Sequence, residues 1–297
     1  MSSYGLRNES DACTSFLETV CNSRDLSVET IALMLSLANV CAGGRYLVID
    51  ETGLLIAAIL ERGIVFDVAH FSQLGASVFL LHENQEANLD TLKFFPHLQR
   101  FFRSELTEPS EQTFHSMDFL SAFDPSTITI TPPHQGSESE IYERKLRTYH
   151  RELQIHEIWN EGDFDGFISV SSYDPATFLP RCLNKLELCS SIAVYSPFRE
   201  VVTELQNFVT SKMPTRPLIA PIIHELRAPR WSTLKGRARP DMLGRGGGGW
   251  ILSGTRVEES EPEIQVWSSR RNKKRKIDEN GSEMEDVKTD TSAIETD

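Results

Sequence analysis

The stretch Arg45-Tyr46-Leu47-Val48-Ile49-Asp50-Glu51-Thr52-Gly53, followed by Leu54 to Arg62, limits what this chain can fold into more than any other. Bulky apolar and aromatic residues, then a short acidic turn with one glycine, then an apolar helical run, open a βαβ unit. In a doubly wound sheet the first such turn is where an adenine-bearing cofactor sits, and several glycines normally let the helix N-terminus approach it. Here Gly53 stands alone, and Leu54 and Leu55 occupy the places where further glycines would open the turn. The expectation is a cofactor-type α/β domain whose pocket, at Glu51, Thr52, Gly53, Leu54 and Leu55, no longer takes a cofactor.

The rest of the chain supplies the remaining layers. Ser27 is placed to cap a helix running to Asn39, with Ile31, Met34, Leu35 and Ala38 on its apolar face. Ala76 to Leu81 reads as a second strand ending at His82-Glu83-Asn84, with a helix over Gln85 to Lys93. Glu83 stands where an acid can bind ribose hydroxyls, or it caps that helix. Gly63 to Leu74 has no clear pattern. Phe114 to Phe123 reads as a short strand and its exit, 126–140 as a Pro/Ser/Thr-rich loop, and Ile141 to Asn160 as a charged helix. Phe164 to Val170 and Ser191 to Tyr195 are strands, the first followed by a helix through Leu186 and the second by one from Arg199 to Thr210. Leu218 to Leu226 and Trp250 to Val257 are the last two strands. Strands alternating with helices, closed by two consecutive strands, predict a mostly parallel sheet with a terminal antiparallel hairpin. That is the layout of a Rossmann-like class I methyltransferase domain over residues 27–257, between a polar segment, 1–26, and a tail, 258–297.

Charge is distributed unevenly. The net charge is -13, yet residues 212–257 hold Lys212, Arg216, Arg227, Arg230, Lys235, Arg237, Arg239, Arg245 and Arg256 against only Glu225 and Asp241. One concentrated basic segment in an acidic chain points to a local polyanion contact. Within it, Arg227, Arg230, Lys235, Arg237 and Arg239 are candidate phosphate ligands and Trp231 a candidate stacking group. The tail is too poor in apolar residues to hold a core. Its run Arg270, Arg271, Lys273, Lys274, Arg275 and Lys276 reads as a nuclear localisation signal. Five irregularly spaced cysteines fit no common zinc pattern and suggest thiols in a reducing compartment. No apolar run reaches membrane-spanning length, so no membrane association is expected.

The most specific stretch is Gly246-Gly247-Gly248-Gly249-Trp250-Ile251-Leu252-Ser253-Gly254-Thr255-Arg256-Val257. It resembles the C-terminal signature of the non-catalytic subunit of the eukaryotic tRNA (adenine-N1) methyltransferase. Three further matches fall in the same order. They are Val28 to Val48, then Asp50 to Leu55 with Ala57 to Arg62, then Phe164-Asp165-Gly166 with Asp174-Pro175 and Tyr195-Ser196-Pro197-Phe198. The resemblance implies a subunit with no catalytic residues, no cofactor and no metal of its own. It would pair with an S-adenosylmethionine-binding catalytic paralogue in a heterotetramer of two plus two and help hold the tRNA, in the nucleus. It also implies that Ser171 replaces an aspartate that catalytic relatives place near the target adenine. Members usually carry an additional N-terminal domain of β character, whereas this sequence starts just ahead of the methyltransferase-like part.

The four-glycine run suits close approach to another chain, so Gly246, Gly247, Gly248, Gly249, Trp250 and Ile251 are candidate partner contacts. Two other readings fit the sequence: an active S-adenosylmethionine-dependent RNA methyltransferase using Glu83 and Asp174, and a nuclear RNA-binding or translation-linked scaffold.

Overall fold

The computed structural model describes residues 26–63, 65–67, 72–74, 76–83, 87–95, 98, 114–124, 139–213, 217–227, 231–234, 236–240 and 248–258. Seven strands form the main sheet: β1 (Arg45–Asp50), β4 (Ser77–His82), β5 (Phe114–Asp118), β6 (Phe164–Val170), β7 (Leu186–Ser196), β8 (Leu218–Glu225) and β11 (Trp250–Arg256). Their spatial order is β5-β4-β1-β6-β7-β11-β8. The first five run parallel, and β11 enters antiparallel between β7 and β8. The order reverses at β1, and ligands in open α/β sheets sit beyond the strand ends at such a switch point.

Successive residues of each central strand point to opposite faces, and both faces are covered, so the strands read as mostly apolar runs rather than alternating ones. Tyr46 and Val48 of β1, Val78 and Leu80 of β4 and Ile168 and Val170 of β6 meet one core. That core is closed by α1 (Val28–Leu37) and α2 (Leu54–Gly63). Leu47, Ile49, Phe79, Leu81 and Phe167 meet the other. On that face lie α3 (Phe119–Phe123), α4 (Ser139–Glu161), α5 (Pro175–Leu183) and α6 (Arg199–Asn207), the last continued by a π turn, Phe208–Lys212. Trp159 locks α4 down, with its indole N–H donating to the Ala122 carbonyl at 3.0 Å and its ring stacked on Phe79. Ser27 caps α1 as its sequence predicts, and its hydroxyl accepts from Thr30 N at 3.1 Å.

Two local expectations are corrected, and two segments without an assigned element gain one. Residues 87–89 are not helical, and the chain continues from them as a 3-10 turn, Asp90–Phe94, because Thr91 is drawn toward the turn after β1. The helix after β6 stops at Leu183, and Leu186, expected to end it, begins β7. The patternless stretch after α2 contains a small antiparallel pair, β2 (Val65–Asp67) with β3 (Ser72–Leu74). The basic segment between the last two sheet strands carries a second hairpin, β9 (Trp231–Leu234) with β10 (Arg237–Pro240). Its two-residue connection puts Gly236 at φ 81°, the conformation such tight hairpins demand. The loop expected at 126–140 falls mainly outside the described residues.

Candidate functional site

The C-terminal ends of β1, β4 and β6 bring together the acidic turn, Glu83 and Ser171. Asp50, the last residue of β1, is buried. Its Oδ1 accepts from the Thr52 amide at 2.8 Å and the Thr52 hydroxyl at 2.7 Å, and its Oδ2 from the Ile56 amide at 3.1 Å. A helix N-terminus is a ready receptor for an anion. At α2 that receptor is filled by the chain's own carboxylate. Burial raises the Asp50 carboxyl above its ordinary value, and the bonds from Thr52 and Ile56 oppose the rise.

The rest of the turn closes from the other sides. Gly53 adopts φ 72°, and a Cβ there would stand 3.1 Å from Thr91. The Thr91 hydroxyl donates to the Thr52 carbonyl at 2.7 Å. Leu54 and Leu55 point into the core, Leu55 with no exposed surface. The conformation that would let a ligand approach Gly53 is therefore spent on contact with the Asp90–Phe94 turn.

Glu51 takes on a different task. Its carboxylate accepts from the Ser171 hydroxyl at 2.9 Å, the Ser172 amide at 2.6 Å and the Ser172 hydroxyl at 2.9 Å. The next residue, Tyr173, donates its hydroxyl to Glu83 and meets Phe119 edge-on, ring centres 6.2 Å apart. Glu83 is thus engaged by Tyr173, and residues 84–86, where a helix capped by it would begin, lie outside the described residues. Asp174 caps α5, its Oδ1 accepting from Ala176 N at 3.0 Å. The segment after β6 is thus pinned to β1 and β4 across a cleft of about 340 Å³. Neither carboxylate that an active enzyme would need here is disengaged. The roles of Thr91 and Tyr173 had no signal in the sequence, because each depends on a neighbour brought near only by folding, whereas the partners of Asp50 lie only two and six positions on.

The glycine run is used within the domain wherever it is described. Gly248 is buried at φ 139°, where a Cβ would collide with the Leu226 carbonyl. Its carbonyl accepts from the Thr30 hydroxyl at 3.1 Å, tying it to α1. A Cβ on Gly249 would come within 2.6 Å of the Tyr195 ring. Ile251 is fully buried in the first core, and Trp250 is half-buried against the second. The close approach expected toward another chain is thus made at Gly248 and Gly249 to this chain's own backbone and rings, and Ile251 is core. Gly246 and Gly247 lie outside the described residues.

The basic candidates divide as well. Arg237 and Arg239 are exposed on β10, two residues apart and so on one face of the hairpin. Trp231 pairs with Pro240, a register position of opposite parity to both arginines. Arg227 is exposed and forms an ion pair with Glu225 at 2.6 Å. Arg230, Lys235 and the run Arg270, Arg271, Lys273, Lys274, Arg275 and Lys276 lie outside the described residues. Among the described residues no cluster of His, Cys, Asp and Glu is arranged to hold a metal, and no helix is long and apolar enough to cross a membrane.

Strand order and filled turn together define a class: a Rossmann-like α/β domain whose first strand-to-helix turn is closed from within. Residues 14–147 match the Gcd10p family. Among its relatives is the tRNA (adenine(58)-N(1))-methyltransferase non-catalytic subunit TRM6 of Eremothecium gossypii, 31% identical over 77% of this chain and 50% of that protein. The subunit of the same name from Kluyveromyces lactis is 30% identical over 87% of this chain and 54% of that one. The chain thus resembles the Gcd10p family over residues 14–147 and these two subunits over most of its own length. It spans about half the length of the curated relatives it matches. Among solved structures it is similar to the tRNA (m1A58) methyltransferase TrmI from Aquifex aeolicus, with TM-score 0.47 and 14% identity over 77% of this chain and 68% of that one.

Proposed function

We propose that this chain is a non-catalytic, tRNA-binding and structural subunit of a nuclear tRNA adenine-N1 methyltransferase complex. The observation that carries the reading is the turn after β1, where Asp50 takes up the α2 N-terminus and Leu54 and Leu55 are buried. Ser171, at the end of β6, stands where catalytic relatives would place an aspartate, and it is bound to Glu51. The names of the relatives, non-catalytic subunits of an adenine(58)-N(1) enzyme, support the same reading. On this account S-adenosylmethionine binds only to a catalytic paralogue of the same fold, and two copies of each chain assemble.

The exposed hairpin bearing Arg237 and Arg239 supplies cations for the tRNA backbone. A subunit that grips the tRNA body helps present an adenine that must leave its stack to be methylated. The basic run from Arg270 to Lys276 directs the chain to the nucleus. Co-expression with the catalytic paralogue, followed by mass measurement in solution, tests the assembly. A complex of two plus two is expected, and a chain that elutes alone beside its paralogue contradicts the proposal.

A further inference from the structure

We propose that Cys41 and Cys189 form a redox-sensitive thiol pair that closes to an intrachain disulfide when the protein meets a peroxide. Both are free and exposed, and both line one recess of about 370 Å³ at the N-terminal ends of β1, β6 and β7. The recess lies at the opposite end of the strands from the filled turn, so the inference does not rest on the RNA reading. Cys182, the other described cysteine, is buried on the second core, where burial pushes its thiol well above its ordinary range. A thiol held that way is unreactive.

The two sides of the recess differ in how firmly they are held. Cys41 belongs to the fixed side: its amide donates to the Tyr46 hydroxyl at 2.8 Å, and its Sγ lies 3.4 Å from the same oxygen. Cys189 belongs to an irregular side. The β6–β7 ladder pairs Phe164 with Leu186 and then Gly166 with Ser191, so β7 bulges between these pairs. Within the bulge Cys189 adopts φ 66°, a left-handed conformation that side chains rarely take. Ser190, also lining the recess, is only 4% exposed, and its hydroxyl has no hydrogen-bond partner among the described residues. A buried hydroxyl without a partner leaves its segment without the bond that would fix it. Strained backbone and a missing bond thus coincide beside one thiol, and movement of the bulge is what brings it to the other. Disulfide geometry requires Cα atoms about 4.4–6.8 Å apart.

The chemistry balances with one peroxide. One thiolate attacks the O–O bond, which breaks to leave a sulfenic acid and a hydroxide that is released as water. The second thiolate attacks the sulfenic sulfur, forming S–S, and the S–O bond breaks to release a second water. Two thiols are oxidised by two electrons, and the peroxide is reduced.

The test uses the full chain with all its cysteines. After limited hydrogen peroxide, alkylation and non-reducing digestion, mass spectrometry should find one peptide pair joining Cys41 to Cys189, lost on adding dithiothreitol. Cys41→Ser and Cys189→Ser should each abolish it, and Cys182→Ser should leave it intact. A link to Cys13 or Cys21, a link between chains, or oxidation of either thiol without a bridge overturns the proposal. A short bis-maleimide, which needs no oxidant and no variant, should bridge the same two residues. Single labelling of each without a bridge contradicts the shared recess.

Discussion

The turn after β1 and the β9–β10 hairpin show what happens when one part of a cofactor-type domain closes on itself and another stays open. At the turn, Asp50, Thr52 and Thr91 satisfy one another, Leu54 and Leu55 are buried, and Glu51 holds the segment after β6. On the hairpin, Arg237 and Arg239 are exposed on a pair of strands outside the main sheet. The first region has become part of the core. The second carries charge that the core has no use for. On the function proposed above, such a domain gives up its donor chemistry while keeping a surface for a polyanion, because the two draw on different residues.

That contrast is sharpest in stability. Leu55→Ala removes a fully buried side chain, so we expect a loss of about 2–5 kcal/mol in chemical denaturation. The variant should gain no affinity for S-adenosylmethionine, since Asp50 still occupies the helix N-terminus. A stable variant that bound the donor would show the leucine to be a plug and nothing more. The hairpin should respond the opposite way. Arg237→Gln with Arg239→Gln should leave stability within about 0.5 kcal/mol, as surface changes do. The tRNA affinity of the complex should fall, with a salt dependence shallower by about 0.7–0.9 in log–log slope for each phosphate no longer neutralised. Unchanged affinity and slope would remove the hairpin from the RNA surface.

The smallest effect is the pH dependence carried by Asp50. Its folded carboxyl is raised by burial, so its stabilising contribution is fully present below the unfolded value, about 3.9. That contribution is lost as pH rises through the folded value. Asp50→Asn removes the titration, and its urea midpoint should decline less than that of the parent over this interval. Parallel profiles would mean that the bonds from Thr52 and Ile56 hold the charge at no cost.

Much of the architecture was legible because parallel strands buried on both faces are mostly apolar, as the interiors of Arg45–Asp50, Ser77–His82 and Phe164–Val170 are. The altered composition of the turn was legible too, since leucine in place of glycine is a change of volume that needs no neighbour to interpret, although both leucines point into the core. What fills it was not. Thr91 reaches Thr52 from 39 positions away, and Ser171 reaches Glu51 from 120, so no local pattern records either bond. The same holds for Gly248, whose need for glycine comes from Leu226 and α1. The hairpin in the basic segment was missed because four-residue strands of mixed composition, Trp231–Leu234 and Arg237–Pro240, carry almost no alternation.

The central claim is that the turn after β1 has lost its room for a methyl donor. Calorimetric titration of S-adenosylmethionine into the isolated chain, and then into its complex with the catalytic paralogue, tests it most directly. The account predicts no saturable heat with the isolated chain and one donor per pair of unlike subunits in the complex. Saturable micromolar binding to the isolated chain, or two donors per pair, would contradict it.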